Sequence, residues 1–263
     1  MHAFKYHRAS NVNDASSLAK GDARLLAGGQ SLVQAMKLRL SSPTDLIDLG
    51  TIKELSGIKA SGTEVTIGAM TRHAEVAGSP DVKKAIPALA ALAGMIGDRQ
   101  VRAMGTIGGS LANNDPAADY PAAALGLGAT ITTNKRKIAA DDFFKGLYET
   151  ALQAGEVITS VTFPVPRRAG YTKFKNQASR FAIVGVFVTD SASGTRVAVT
   201  GAGPCVFRQK DMEKALSAKF DPSSVASIKQ KADGLNSDLH ASAEYRAHLV
   251  SVMAKRAVEA AIK

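Results

Sequence analysis

The chain has 263 residues, 45% hydrophobic and 21% charged, a globular balance with enough length for one large domain or two small ones. A single cysteine, Cys205, excludes an internal disulfide, a cysteine-rich zinc site and an iron–sulfur cluster held by the chain's own thiolates, and leaves a small thiol near a turn. The net charge of +10 sits mostly beyond residue 166, where 16 Lys and Arg face 8 Asp and Glu; with no Trp and 5% aromatics it lacks the stacking platforms of a nucleic-acid binder, and reads as a solvated basic face or a docking surface for an acidic protein.

The first ten residues, MHAFKYHRAS, mix charge with aromatics and lack the apolar core and cleavage site of a secretory signal. The longest nearly apolar run, residues 86–97, is well short of the ~20 residues of a membrane-spanning helix. A soluble, cytoplasmic protein is expected. Residues 24–27 (RLLA) suit a buried strand that runs into Gly28, Gly29, Gln30 and Ser31. Leu32, Met36 and Leu40 follow at helical spacing, with Ser31 placed to cap the turn. A strand, a glycine turn and a helix start together form an anion site, because unpaired N–H groups and the helix dipole point the same way. The P-loop is excluded, since Gly29 is followed by Gln30 rather than the phosphate-reaching lysine. GxGxxG is excluded too: Gly126 and Gly128 lead to Ile131, and Gly201 and Gly203 lead to Val206.

Residues 45–49 alternate like a strand, and 58–60 with 65–68 flank a Ser-Gly-Thr turn as a hairpin. Residues 81–96 read as helix, interrupted at Pro87. Then comes the least packing-like stretch of the chain, residues 104–120 (MGTIGGSLANNDPAADY), where Gly105, Gly108 and Gly109 stand beside Thr106 and Ser110 and leave the backbone open to a ligand. A helix is expected over 117–127, its start marked by Asp115 and Pro116, and a strand over 129–133. The chain thus holds two candidate anion sites about 75 residues apart, a pair that suits a diphosphate ligand if the two meet in space. Residues 157–163 alternate as a strand up to Pro164, Val165 and Pro166, the clearest boundary in the chain. Beyond it, 171–176, 182–188 and 196–200 read as strands, 209–219 and 243–262 as helices, the last amphipathic through Tyr245, Leu249, Val252 and Met253. The fold class is α+β, in a first part over 1–166 (subdivided near residue 55) and a second over 167–263.

Five separated segments carry a resemblance across essentially the whole chain: AGGQSLVQAMKLRL (27–40), IGAMT (67–71), VRAMGTIGGSLANNDPAADYPAAALGLGA (101–129), ALQAGEVITSVTFP (151–164) and SAEYRAHLVSVMAKRAV (242–258). In these the chain resembles the medium, FAD-binding subunit of molybdenum hydroxylases, a family with the flavin subunits of carbon monoxide, aldehyde and nicotine dehydrogenases and the flavin domain of xanthine dehydrogenase. The resemblance implies a two-subdomain flavin-binding fold of the vanillyl-alcohol oxidase type, also called PCMH, followed by a smaller C-terminal domain. It implies partners as well: a small subunit with two [2Fe–2S] clusters and a large molybdopterin subunit, assembled as a dimer of heterotrimers. Electrons would pass from substrate at molybdenum through the clusters to FAD and on to an external acceptor.

Carried over by motif, Ala27, Gly28, Gly29, Gln30, Ser31 and Leu32 match one flavin loop and Thr106, Ile107, Gly108, Gly109 and Ser110 the other. Asp119 matches an acidic residue that hydrogen-bonds FAD hydroxyls, Ile158 lies in a strand flanking the ring system, Lys175 aligns with a cation that favours reduced, anionic flavin, and Phe181 with an aromatic beside the isoalloxazine. FAD is expected to be noncovalent, because His2, His7, His73, His240 and His248 lie outside the motifs. No carboxylate pair, nucleophile–His pair or metal cluster offers independent catalysis, so the reactive group would be the cofactor itself. A stand-alone flavin oxidase with its own substrate pocket, and a non-enzymatic basic binding module, are the alternatives.

Overall fold

The computed structural model describes residues 1–263. Three parallel strands, Lys5–Arg8 (β1), Arg24–Leu26 (β2) and Asp45–Asp48 (β3), open the chain with β3 in the middle. Parallel pairing requires crossovers, and the helices Val12–Leu18 and Leu32–Lys37 supply them. Ile47 and Leu49 bury with Ala15, Ile52 and Leu55 in a small core of their own.

The next sheet is antiparallel. It holds Ile58–Ala60 (β4), Glu64–Gly68 (β5), Thr130–Thr133 (β6), Lys137–Ala139 (β7) and, after the short hairpin Phe144–Gly146 (β8) and Glu149–Thr150 (β9), Ile158–Pro164 (β10), in the order β4-β5-β10-β6-β7. The late strand β10 thus sits at the centre, with Val161 opposite Ile67 and Phe163 opposite Val65. A register shift between Ile158 and Ser160 turns both Ile158 and Val161 into the core.

Helices cover this sheet. Pro80–Ala85 and Pro87–Gly94 are separate, as the proline requires. Arg99–Met104 is capped by Asp98, and within the glycine-rich stretch, to which the sequence assigns no element before residue 117, Ile107–Asn113 is a helix, capped by Thr106 and ended by Asn114 at a left-handed φ of 43°. The helix expected from residue 117 begins at Tyr120. Asp115 and Pro116 form a turn instead: the Asp115 carboxylate accepts from the Ala117 N–H, and the Pro116 carbonyl accepts from the Gly201 N–H.

The C-terminal part is a meander, Arg168–Lys175 (β11), Ala182–Ser191 (β12), Gly194–Thr200 (β13) and Phe207–Arg208 (β14), in sequential antiparallel order. Its two faces are divided by strand parity. Tyr171, Phe187 and Ala198 join the core of the preceding sheet and its helices, while Val184, Val186, Val188, Val197 and Val199 pack with Leu249, Val250, Met253 and Val258 of the helix Ala243–Ala261. The C-terminal helix comes close at Gly170, where a Cβ would collide with the Ala257 carbonyl. One sheet therefore mates the two parts of the molecule.

Candidate cofactor site

The strand β2 delivers the chain to Gly28 and Gly29, and Gly29 adopts φ +70°, a conformation that glycine alone takes freely. The successive N–H groups of Gly28, Gly29, Gln30, Ser31 and Leu32 meet no acceptor within the protein; pairing resumes at Val33, whose N–H donates to the Gly29 carbonyl. The Gln30 amide donates to the Gly28 carbonyl and closes the loop on itself. Ser31 occupies the N-cap position but makes no capping hydrogen bond, contrary to the sequence expectation, so its hydroxyl is free as well. A half-buried run of unpaired N–H groups ending in a free hydroxyl binds an anion with little reorganisation.

The second glycine loop is built differently. Ile107 N–H donates to the Thr71 carbonyl (3.1 Å), Gly108 N–H to the Ala69 carbonyl (2.8 Å) and Gly109 N–H to Thr106 Oγ1 (3.2 Å). Ala69 in turn donates to the Thr159 carbonyl of β10, so this helix start is fastened to the central strand. Its glycines serve close packing: a Cβ on Gly108 would stand 2.6 Å from the Ala69 Cβ. The expectation that both loops offer free N–H groups is corrected here, because in this one they are paired.

The two loops meet. A Cβ on Gly28 would overlap the Met104 carbonyl and stand 2.7 Å from Gly105 Cα, and one on Gly109 would lie 3.4 Å from Ala27 Cβ. Ala27, Gly28 and the helix start at residues 106–110 therefore share one wall, with Ser110 Oγ unpartnered beside it.

Sequence reasoning left His73 outside the site, yet its ring lies under the second loop. The His73 N–H donates to the Gly105 carbonyl, and a Cβ on Gly105 would come within 2.6 Å of His73 Nε2. Burial, with the Arg102 charge adding to it, lowers the imidazole to about 4, so it is neutral at pH 7. Its Nδ1 and the hydroxyl of Tyr120, whose ring centroid is 5.3 Å away, are buried without partners. No spacing rule flags a histidine some thirty residues upstream of the loop it supports.

Asp119 is buried and held by two partners. One oxygen accepts from the Tyr171 hydroxyl at 2.5 Å, and Lys173 Nζ lies 2.9 Å from the carboxylate. Burial raises this carboxyl, against the pull of Lys173 and Tyr171. Lys173 also donates to the Met95 and Arg180 carbonyls. This cluster joins the helical layer to β11, and the cation in it is Lys173 rather than Lys175. The register shift between Phe174 and Lys175 ends the inward parity of residues 169, 171 and 173, and Lys175 is left exposed and unpaired. Ile158 is a buried core residue of β10. Phe181 is 46% exposed at the end of a turn in which Arg180 has φ 63° and reaches the Gly97 carbonyl at 3.2 Å.

Residues 28–32 offer the unpaired donors an anion site needs, and the comparisons with known proteins show that they lie in an FAD-binding domain. Residues 2–166 match the FAD binding domain in molybdopterin dehydrogenase, and residues 169–261 match the CO dehydrogenase flavoprotein C-terminal domain. The chain belongs to the FAD-binding medium subunits of the molybdenum hydroxylases. It is 35% identical to the carbon monoxide dehydrogenase medium chain of Hydrogenophaga pseudoflava over 98% of this chain and 96% of that one. It is also 35% identical to the nicotine 6-hydroxylase medium subunit of Paenarthrobacter nicotinovorans, over 97% and 96%. Among solved structures it resembles the reconstituted CO dehydrogenase from Oligotropha carboxidovorans (TM-score 0.91, 35% identity, 99% of this chain and 98% of that one). Quinoline 2-oxidoreductase from Pseudomonas putida 86 is similar too (TM-score 0.90, 30% identity, 99% and 97%). This medium subunit is thus an oxidoreductase component with an FAD-binding domain; no helix in it is long and apolar enough to cross a membrane.

Proposed function

We propose that this medium subunit holds FAD noncovalently between residues 27–32 and 106–110 and relays electrons from the [2Fe–2S] clusters of a small partner to an external acceptor, in a cytoplasmic dimer of heterotrimers whose large subunit carries molybdopterin. The observation that carries the reading is the run of unpaired N–H groups at Gly28 to Leu32, braced against the Met104–Gly105 backbone. FAD, when bound, supplies the redox chemistry. The chain's own residues bind and orient it: the N–H run and the Ser31 hydroxyl replace the water that phosphate oxygens lose on burial, and Ser110 Oγ offers a further donor. Asp119, anchored by Tyr171 and Lys173, keeps oxygen lone pairs that can accept from the cofactor's hydroxyls, and Lys173 takes the cationic role assigned to Lys175 from the sequence. Phe181, exposed at a turn held by the Arg180 contact with the Gly97 carbonyl, would offer an aromatic face to the ring system.

The test is anaerobic mixing of the FAD-loaded chain with its chemically reduced [2Fe–2S] partner while flavin absorbance is followed. Bleaching of the flavin is the expected result. Flavin that stays oxidised in the assembled complex overturns the relay.

A further inference from the structure

The backbone at Met104 and Gly105 is packed by two groups at once. Gly28 comes so near that a Cβ there would overlap the Met104 carbonyl and stand 2.7 Å from Gly105 Cα. A Cβ on Gly105 itself would meet a different group, the His73 imidazole, at 2.6 Å from Nε2 and 2.8 Å from Cδ2. The two segments are also joined through their backbones: the His73 N–H donates to the Gly105 carbonyl (2.9 Å), and Arg72 pairs with Thr106 in an antiparallel bridge. Behind His73 stands Tyr120, its ring centroid 5.3 Å away, in a helix whose every residue is buried. Gly28, Gly105, His73 and Tyr120 therefore form one packed series from the N–H run to the core. Polar bonds do not hold the imidazole in this series. Its Nδ1 and the Tyr120 hydroxyl are buried without partners, and burial with the Arg102 charge keeps the ring neutral at pH 7. Unpaired buried polar groups cost stability, so an apolar side chain would serve the core better. What the imidazole supplies is a rigid plate against Gly105.

We propose that His73 is a positioning residue for the cofactor: its ring, backed by Tyr120, fixes how near the Met104–Gly105 backbone lies to Gly28, and so sets the shape of the N–H run that receives FAD. This rests on the placement of FAD proposed above. The ring fills the space beside Gly105 that a side chain there would need, so Gly105 cannot give way in that direction. Close-packed interiors pass such a constraint on to the next contact, which here is Gly28. The donors of residues 28–32 are thereby held in place before FAD arrives, and the ordering cost of binding falls. Asp119 precedes Tyr120 in the chain, so the same series ties the glycine loops to the Asp119 cluster.

A double-mutant cycle on the full chain tests this, with FAD affinity read by titration of flavin fluorescence at a temperature where circular dichroism shows every variant folded. His73→Ala should weaken FAD about tenfold, because Gly105 is released from its seat. Gly28→Ala should weaken it more, because its methyl meets a backbone that cannot retreat. Combined, the two should bind FAD more tightly than Gly28→Ala alone, since the space left by the imidazole lets Gly105 step back from the new methyl. A side chain that only stabilised the fold would show losses that multiply. If His73→Ala melts too early, His73→Val runs the same cycle, filling more of the space while lacking the ring's reach. A double variant that binds as weakly as Gly28→Ala or more weakly overturns the positioning role, as does wild-type affinity in His73→Ala. FAD affinity unmoved by Gly28→Ala sinks the cofactor placement, and this role with it.

Discussion

The N–H groups of Gly28 to Leu32 meet no acceptor in the protein, whereas those of Ile107, Gly108 and Gly109 are all paired with one. Both loops are glycine-rich turns leading into helices, yet one presents donors and the other supplies the wall behind them. The glycines differ accordingly: Gly29 is needed for its positive φ, and Gly108 for its contact with Ala69. A glycine turn before a helix is therefore a ligand site only if its donors stay unpaired, which depends on what the fold places opposite. The same contrast between engaged and free polar groups separates Lys173 from Lys175.

That last pair gives the largest expected effect. Lys173→Met leaves Asp119 buried without its cation and should destabilise the chain by about 3–5 kcal/mol in denaturant unfolding, whereas Lys175→Met should stay within about 0.5 kcal/mol. Equal losses in the two variants would mean that the Asp119 cluster is misassigned.

His73 sharpens the comparison from beneath the paired loop. A neutral histidine whose folded value is lowered to about 4 contributes stability that is fully present above its ordinary value near 6.5 and is lost progressively as pH falls toward 4. The loss across that window should reach about 3 kcal/mol, and His73→Phe should flatten it. A wild-type profile flat between pH 6.5 and 4 would show the imidazole to be solvated.

Gly28→Ala tests the contact between the loops. Its methyl would overlap the Met104 carbonyl, and the loops should separate enough to weaken FAD binding by about a hundredfold, a cost of roughly 3 kcal/mol in the range of overpacking a tight contact. Titration of flavin fluorescence reads this directly, and unchanged affinity would place the cofactor elsewhere. The smallest expected effects form a matched pair. Thr106→Ala removes the cap on Gly109 and should cost about 1 kcal/mol of stability in the apo chain. Ser31→Ala removes a hydroxyl that caps nothing, and should leave apo stability unchanged while weakening FAD several-fold, by roughly 1 kcal/mol. Reversed outcomes would reverse the assignment of the loops.

Much of the fold was legible in the sequence where local pattern and environment agree. The strand alternation of residues 182–188 and 196–200, the break at Pro87 and the long C-terminal helix are visible because each follows from a period or a missing donor. The helix Ile107–Asn113 was hidden by its own glycines, which lower helix propensity while permitting the approach to Ala69. Both candidate anion loops were legible as motifs, but their contact and their division of roles were not, since those depend on residues 69–71 pairing the N–H groups of the second loop and on the Met104–Gly105 backbone lying against Gly28. Lys175 entered through the resemblance, and strand parity puts it on the same face as Lys173; only the register shift at Phe174, which no pattern announces, separates the two.

Hydrogen exchange of the backbone amides tests the division of labour between the loops most directly. In the chain without cofactor, the amides of Gly28 to Leu32 should exchange fast while those of Ile107 to Ser110 are already protected, and adding FAD should slow the first group by orders of magnitude and barely change the second. Protection that arises on FAD binding at residues 107–110, with residues 28–32 unaffected, would contradict the account.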